Sequence, residues 1–431
     1  MKGNRNPSLT GQQIVIVGNG IAGNGALSTI RRLNREVTIT MISDENLPLY
    51  SPCVFHKYLV DEMEKQKLFL KNWEDYSKEN VNLILGERVT RVDVQSKEVS
   101  IKDKSLSFDK LILATGSKAL VPPIRGINQK GVFTLKTMKD ADGIFNYPAK
   151  SVVVVGSGPI GLEAAIALKK RGLEVYVVEI LDRIMPRLFD EEPSSTLRKI
   201  LEDNGIKVLT REKVVEILGV KNVSSVITDR REIKCDLVIM AAGVRPNVDL
   251  ARAARLEIGE LGGIKTDDYT RTSAEDVYAC GDCVESRDII SSQKTLSLLW
   301  HNAKRQGEVS GYNCTGKKRK YIGSLDAVDI DIFGIHATSV GKNASHFDNN
   351  RSRCDMVEKT YGSSYYRLTI VEDRLVGVQL ITKTEDSGLL LSLMLRKDNL
   401  KELRDIITNQ KLLSVKPWRY RVGHYLKFAA G

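Results

Sequence analysis

Gly18-Asn19-Gly20-Ile21-Ala22-Gly23 and Gly156-Ser157-Gly158-Pro159-Ile160-Gly161 share the spacing G-x-G-x-x-G. In such a turn the first glycine makes the tight bend, the second lets backbone N–H groups approach a pyrophosphate, and the third lets the following helix pack on a sheet. The helix then points its positive end at the phosphates. Acids follow each turn at about the distance from which a carboxylate accepts hydrogen bonds from an adenosine ribose: Asp44 and Glu45 in one case, Glu179 in the other. Cys280-Gly281-Asp282-Cys283 has the spacing of a redox dithiol, but its first cysteine is expected to face the core of a strand, so a redox pair is disfavoured there; the five histidines show no metal-ligand spacing.

The elements around the turns fit this chemistry. Gln13 to Val17 reads as a short buried strand, Ala26 to Arg32 as a helix, and Val37 to Ile42 as the next strand. The unit then recurs: strand Ser151 to Val155, helix Leu162 to Arg171, strand Val175 to Val178. The two turns lie too far apart to serve one mononucleotide unit, so the pattern points to two dinucleotide sites. Two glycine turns that merely pack remain the open alternative. Two dinucleotides in one chain suggest a hydride relay between cofactors, with the protein positioning both.

Length and composition set bounds. The 431 residues are enough for two or three domains, with 42% hydrophobic and 28% charged residues, as in a globular protein. Without an apolar run of about 18 residues or a signal-like apolar start, no membrane span or leader is expected. Six scattered cysteines point to a reducing compartment and a cytoplasmic location rather than a secreted disulfide scaffold. The net charge of +11 favours acidic partners. Its densest cluster, Lys317-Lys318-Arg319-Lys320, reads as a solvated loop, so nucleic acid is disfavoured.

Further motifs carry a family resemblance over essentially the whole chain. They are Leu111-Ile112-Leu113-Ala114-Thr115-Gly116-Ser117, Leu237 to Gly243 with Val244-Arg245-Pro246-Asn247, Thr272 to Asp282, and Trp300-His301-Asn302-Ala303 with Gln306-Gly307. With the two turns, they resemble the pyridine nucleotide–disulfide oxidoreductase superfamily, in its rubredoxin/ferredoxin reductase, NADH oxidase and coenzyme A disulfide reductase branch. The resemblance implies an α/β fold with two Rossmann-like dinucleotide-binding domains, for FAD and NAD, plus a C-terminal α/β interface domain. The expected boundaries are 1–120 and 246–320 for FAD, 121–245 for NAD(H), and 321–431 for the interface or dimerisation domain. In that last part Tyr366 to Ile370 and Leu375 to Ile381 read as a hairpin, and Leu389 to Leu395 and Leu400 to Ile407 as helices.

By the same resemblance FAD would contact Gly18, Gly20, Ile21, Ala22, Gly23, Asp44, Glu45, Lys57, Val89, Ala114, Thr115, Gly116, Gly281, Asp282 and Trp300. NAD(H) would contact Gly156, Gly158, Pro159, Ile160, Gly161, Glu179 and Gly243. Glu179 followed by Ile180 favours NADH, because a carboxylate repels the 2′-phosphate of NADPH. Lys57, seven residues after Tyr50, would lie near the flavin and pair with Glu163. Cys53 stands where single-cysteine relatives keep a redox-active thiol, although Val54 and His56 replace the residues usual there. Tyr425 and Tyr361 are the tyrosines that could reach a neighbouring site.

The expected activity is NADH-dependent reduction of FAD, with electrons passed to an iron–sulfur carrier or a partner subunit. A disulfide, coenzyme A disulfide, peroxide or dioxygen reductase using Cys53 is the first alternative, and a redox-sensing interaction flavoprotein the second. Partners would be NADH, an acidic electron carrier or partner subunits, and a second copy of the chain.

Overall fold

In the computed structural model, residues 11–347, 354–361, 364–383 and 388–396 are described, so Tyr425 and the Leu400 to Ile407 helix lie outside them, as does the side chain of Tyr361. The chain forms two compact units. One comprises Met1–Pro122, Phe133–Tyr147 and Ala242–Leu325, and the other Pro123–Val132, Pro148–Ala241 and Asp326–Gly431. Three helices carry the glycine motifs: α1 (Ile21–Leu33), α2 (Pro159–Lys170) and α3 (Trp300–Cys314).

The first unit is built on a parallel sheet ordered Val277–Ala279, Lys110–Leu113, Gln13–Val17, Thr38–Ser43, Val81–Leu85. Alternate residues of each strand serve opposite faces. Ile14 and Ile16 pack with Ala26, Leu27 and Ile30 of α1, while Val15 and Val17 join a second core with Val92, Val99 and Leu256. Both faces are covered, which is why the central Ile14 to Val17 and Leu111 to Leu113 read as unbroken apolar runs rather than alternating ones. The strand order reverses beside Gln13–Val17, and a crevice at such a switch point is where open α/β sheets bind ligands. Phe133–Tyr147 belongs to this unit: Asp142 accepts from Tyr58 Oη at 2.8 Å and from Lys65 Nζ at 2.6 Å, and the rings of Tyr58 and Phe145 stack at 4.7 Å.

The second unit repeats the plan. Ile206–Thr210, Glu174–Glu179, Ser151–Val155 and Leu237–Met240 pair in parallel in that order. A three-stranded antiparallel meander precedes the returning strand in each unit, Val89–Asp93 to Lys104–Ser107 in the first and Val214–Leu218 to Glu232–Lys234 in the second. The unit ends in an antiparallel sheet ordered Ala327–Ile332, Ile335–Gly341, Arg374–Thr382, Ser364–Val371, Cys354–Tyr361. Its Ser364–Val371 and Arg374–Thr382 strands form the expected hairpin, turned by Glu372 and Asp373 at φ +50° and +57°. Buried Arg367 ties this sheet to the helix Glu191–Asp203 through Asp190 at 3.1 Å and Glu192 at 2.5 Å.

Candidate functional site

The two turns are best understood by asking what each glycine is for. Gly18 sits at φ +118°, and a Cβ there would lie 2.1 Å from Ala114 O. A Cβ on Gly23 would lie 2.0 Å from Gly18 O, and one on Gly161 would lie 2.3 Å from Gly156 O. Gly18, Gly23 and Gly161 are therefore required by the protein's own packing, and Gly156, at φ +106°, by its backbone conformation. The middle ones are not. At Gly20 and Gly158 a Cβ would meet nothing within 4 Å, and both have ordinary φ, −75° and −70°. Each is the N-cap of a long helix, α1 or α2, so its neighbourhood is an open space facing exposed helix N–H groups. That space fits a pyrophosphate, whereas purely structural turns would leave the middle glycine unexplained.

A buried polar network holds the first turn. Asn24 Nδ2 donates to Asn19 O and Asn19 Oδ1, both at 2.9 Å. Tyr76 Oη donates to Asn19 Oδ1 at 2.8 Å and accepts from Leu49 N at 3.0 Å. No local sequence pattern marks Tyr76, because its partners lie 27 and 57 residues away. Close helix crossing adds a second constraint: a Cβ on Gly307 of α3 would meet Ala22 O at 2.0 Å, and one on Gly281 would meet Ala22 Cβ at 2.7 Å. Buried Gln306 caps Gly281 N at 2.7 Å.

The neighbouring motifs converge. Thr115 Oγ1 donates to Asn247 O at 2.7 Å, and Asn247 N to Gly116 O at 2.9 Å, which fixes the bend after Lys110–Leu113. Asp282 accepts from Ser117 Oγ at 2.7 Å and lies 3.4 Å from Lys136 Nζ, both at Oδ2. The sequence did not signal Lys136. Asp44 is exposed, whereas Glu45 accepts from Tyr50 Oη at 3.1 and 2.9 Å. Burial pushes both the Glu45 carboxyl and the Tyr50 phenol up. Val89 belongs to the core, so its backbone alone is available to a ligand. Trp300 is half-buried at the start of α3.

Cys53 lies in a single helical turn, Pro52–Val54, that leads into Phe55–Leu59, and it is exposed. Lys57 is exposed on that following helix, with no ion-pair partner in its own unit among the described residues. The Cys280–Cys283 pair is a different case. Cys280 packs against the α1 side of the sheet and Cys283 against the meander side, and both are fully buried. Cys283 Sγ donates to Cys280 O at 3.2 Å, and burial pushes both thiols up. These are core thiols.

In the second unit Glu179 closes its strand as expected, but it is only 6% exposed and already engaged. Its Oε2 accepts from Ser157 N at 2.9 Å and Ser157 Oγ at 2.6 Å, and its Oε1 accepts from Leu181 N at 2.9 Å. Exposed Ile160, Ile180 and Leu181 leave an apolar rim at the turn and the strand end. Gly243, expected at the nicotinamide site, belongs to the first unit, where at φ +111° it faces open space. Glu163, on α2, is partly buried, and its carboxyl is pushed up to about 7 by desolvation and by the charge of Asp329.

Two Rossmann-type turns with openings at their middle glycines define a two-dinucleotide oxidoreductase class. Residues 12–307 match the pyridine nucleotide-disulphide oxidoreductase family. The chain is 37% identical over 346 residues to an NADH oxidase of Methanocaldococcus jannaschii, covering 76% of this chain and 77% of that one. It is 30% identical to the assimilatory nitrate reductase electron transfer subunit of Bacillus subtilis over 93% of this chain, but it spans only 50% of that relative's length. Among solved structures, the NAD-dependent persulfide reductase from A. fulgidus superposes with a TM-score of 0.87 at 29% identity, covering 91% of this chain and 78% of the other. The chain belongs to the pyridine nucleotide-disulphide oxidoreductase family, and it is an FAD-dependent NAD(P)H oxidoreductase. No helix among the described residues is long and apolar enough to cross a membrane.

Proposed function

We propose that the first unit holds FAD and the second NADH, and that the enzyme oxidises NADH and passes the electrons to an acceptor that reaches the exposed face of Cys53. The bound flavin supplies two-electron acceptance from the nicotinamide and onward delivery. The chain's residues do the rest. The N–H groups at Gly20 and Gly158 take the pyrophosphates, the Thr115–Asn247 clamp fixes the backbone at Gly116, and Ser117 with Lys136 holds Asp282 for a ribityl hydroxyl. Val89 offers backbone only, and the acid at 44–45 faces the adenosine ribose of FAD.

NADH is preferred because Glu179 supplies negative charge, while exposed Ile180 and Leu181 stand where a 2′-phosphate would need cations. Lys57 would meet negative charge on the reduced ring. The expected boundaries near 120, 245 and 320, with an interface domain after 321, belong to this reading.

One observation orders the acceptors. Of the six cysteines, Cys53 alone is exposed, Cys354 is intermediate and the other four are buried. An accessible thiol with a lysine four residues further on suits attack on a disulfide, persulfide or peroxide. The single-cysteine reading therefore moves ahead of the protein-carrier reading that the sequence favoured. The carrier reading keeps its own support in exposed Lys57, the net charge of +11 and the resemblance to an electron transfer subunit. It would place the chain in a complex rather than a simple homodimer. Six free cysteines also fit a cytoplasmic location.

Anaerobic titration with NADH separates the two acceptor readings. In the first, wild type consumes more NADH than its flavin requires and develops a long-wavelength thiolate–flavin band, and Cys53→Ser loses both. Identical titrations of the two proteins would eliminate the thiol role and leave the carrier reading.

A further inference from the structure

The carboxylate of Glu179 reaches the end of its strand with most of its hydrogen-bonding capacity already taken up. Ser157, between Gly156 and Gly158, is fully buried, and its N–H and its hydroxyl both donate to Oε2, at 2.9 and 2.6 Å. Leu181 N donates to Oε1 at 2.9 Å. A carboxylate offers about four acceptor positions, two on each oxygen. Oε2 is therefore saturated from inside the protein, and the capacity that remains lies on Oε1. The bond from the hydroxyl, at 2.6 Å, is of the short, charge-assisted kind.

The backbone on either side is fixed without that hydroxyl. Gly156 N donates to Val178 O at 2.9 Å, and Met185 N to Ser157 O at 3.1 Å. Glu179 pairs with Thr210 in the parallel ladder, and Glu212 N donates to Glu179 O at 3.0 Å. What the hydroxyl determines is the carboxylate itself. With it, three donors hold both oxygens; without it, one N–H on each oxygen remains and the group is free to rock. The first arginine after the strand does not take over. Arg183 gives Nε to Phe189 O at 3.3 Å, Nη2 to Pro186 O at 3.5 Å and Nη1 to Asp182 at 3.1 Å.

We infer that Ser157 is a positioning residue for coenzyme choice: it saturates Oε2 of Glu179, so that Oε1 becomes the fixed acceptor for the adenosine 2′-hydroxyl. The inference rests on the placement of NADH at the second turn proposed above. Its effect is selective. A 2′-hydroxyl has a proton to donate to Oε1, whereas a 2′-phosphate brings acceptor oxygens and negative charge. The serine therefore acts on the ribose bond and not on the pyrophosphate, which would meet the N–H groups at Gly158.

The test uses the full chain with FAD bound and oxidised coenzyme, which binds without reducing the flavin. Calorimetry gives dissociation constants for NAD+ and for its analogue lacking the adenosine 2′-hydroxyl, in wild type and in Ser157→Ala. Wild type should bind NAD+ about tenfold more tightly than the analogue, the worth of a hydrogen bond to a charged group. In Ser157→Ala that ratio should fall to about threefold or less, because the acceptor is no longer held in place. Adding Ser157→Ala to Glu179→Gln should leave the ratio where Glu179→Gln set it. A serine that merely supports the turn would weaken both ligands together, and a Ser157→Ala ratio equal to wild type overturns the inference. So does a ratio that moves further when Ser157→Ala is added to Glu179→Gln. If Ser157→Ala does not fold, Ser157→Gly decides by the same ratio. Wild type that binds both ligands alike would instead refute the placement of the ribose at Glu179, and the inference with it.

Discussion

Replacing Gly307 by alanine probes the geometry that holds the first glycine turn. The added methyl would stand 2.0 Å from Ala22 O, 2.8 Å from its C and 2.9 Å from its Cα, all backbone atoms. Relief to an ordinary contact of a little over 3 Å needs α1 and α3 to separate by about 1 Å. Helix α1 has nowhere to go at its start, because Gly23 already approaches Gly18 O as closely as backbone allows. Overpacking of this kind costs about 1–3 kcal/mol, and against backbone atoms, which cannot swing aside, the upper part of that range, about 2–3 kcal/mol, applies; the helix preference of alanine over glycine returns about 1 kcal/mol of it. A net loss of about 1–2 kcal/mol lowers Tm by roughly 2–8 °C in a domain of this size. Ala22 lies in the first turn of α1, so FAD content should fall with it. Differential scanning fluorimetry and the ratio of flavin to protein absorbance read both effects. Gly388→Ala, where a Cβ meets nothing within 4 Å, is the control and should lower neither. A Gly307→Ala protein with wild-type Tm and full flavin would refute the packing argument.

Three further outcomes follow from the structure. An aromatic disulfide reagent should label one thiol rapidly in native protein, absent in Cys53→Ser, whereas Cys235, Cys280, Cys283 and Cys314 should react only after unfolding. Burial raises the thiols of Cys235 and Cys314 to about 12, so alkaline buffer short of denaturation should not expose them. Ile180→Arg should raise the ratio of kcat/KM for NADPH over NADH by at least about tenfold, since a surface guanidinium can meet the 2′-phosphate, and an unchanged ratio would displace the adenosine from this strand end. Glu163, raised to about 7, stabilises the fold fully below about pH 4.5, and that contribution is lost as pH rises through 7. Glu163→Gln should therefore flatten the fall in stability between pH 5 and 8 in chemical denaturation, and an equally steep fall would show that another group titrates.

What the sequence made legible was local. The strand–turn–helix order at both sites follows from apolar runs broken by glycines, and the two helices start earlier than expected, at Ile21 and Pro159, inside the turns, and end within one residue of expectation, at Leu33 and Lys170. The spacing of the turns could not separate a packing glycine from a binding one. That distinction needed Ala114 O, brought to Gly18 from nearly a hundred residues away. Lys136 beside Asp282 and Tyr76 beside Asn19 were invisible for the same reason, since each pair forms only through sheet topology. Ser157 and Glu179 were both visible as single residues, but nothing in the chain order announced that the serine would occupy the carboxylate.

The cysteines show where that boundary falls. By spacing, Cys280 and Cys283 look like the redox pair and Cys53 like a lone thiol in an incomplete motif. A parallel strand that continues into a positive-φ glycine turns its first cysteine to one face of the sheet, and the bend at Gly281, φ +82°, carries the second to the other. The i,i+3 spacing that brings two thiols together on a helix separates them here. Desolvation then makes both poor thiolates. Cys53 precedes a helix of only five residues and so gains no strong dipole from it. Whatever activation its thiol has must come from solvent access and nearby cations, of which Lys57 shares its segment. A Lys57→Met protein that keeps the wild-type rate of Cys53 alkylation across pH 6–9 would remove that activation and, with it, the strongest reason to place the thiol ahead of a protein carrier as the exit for electrons.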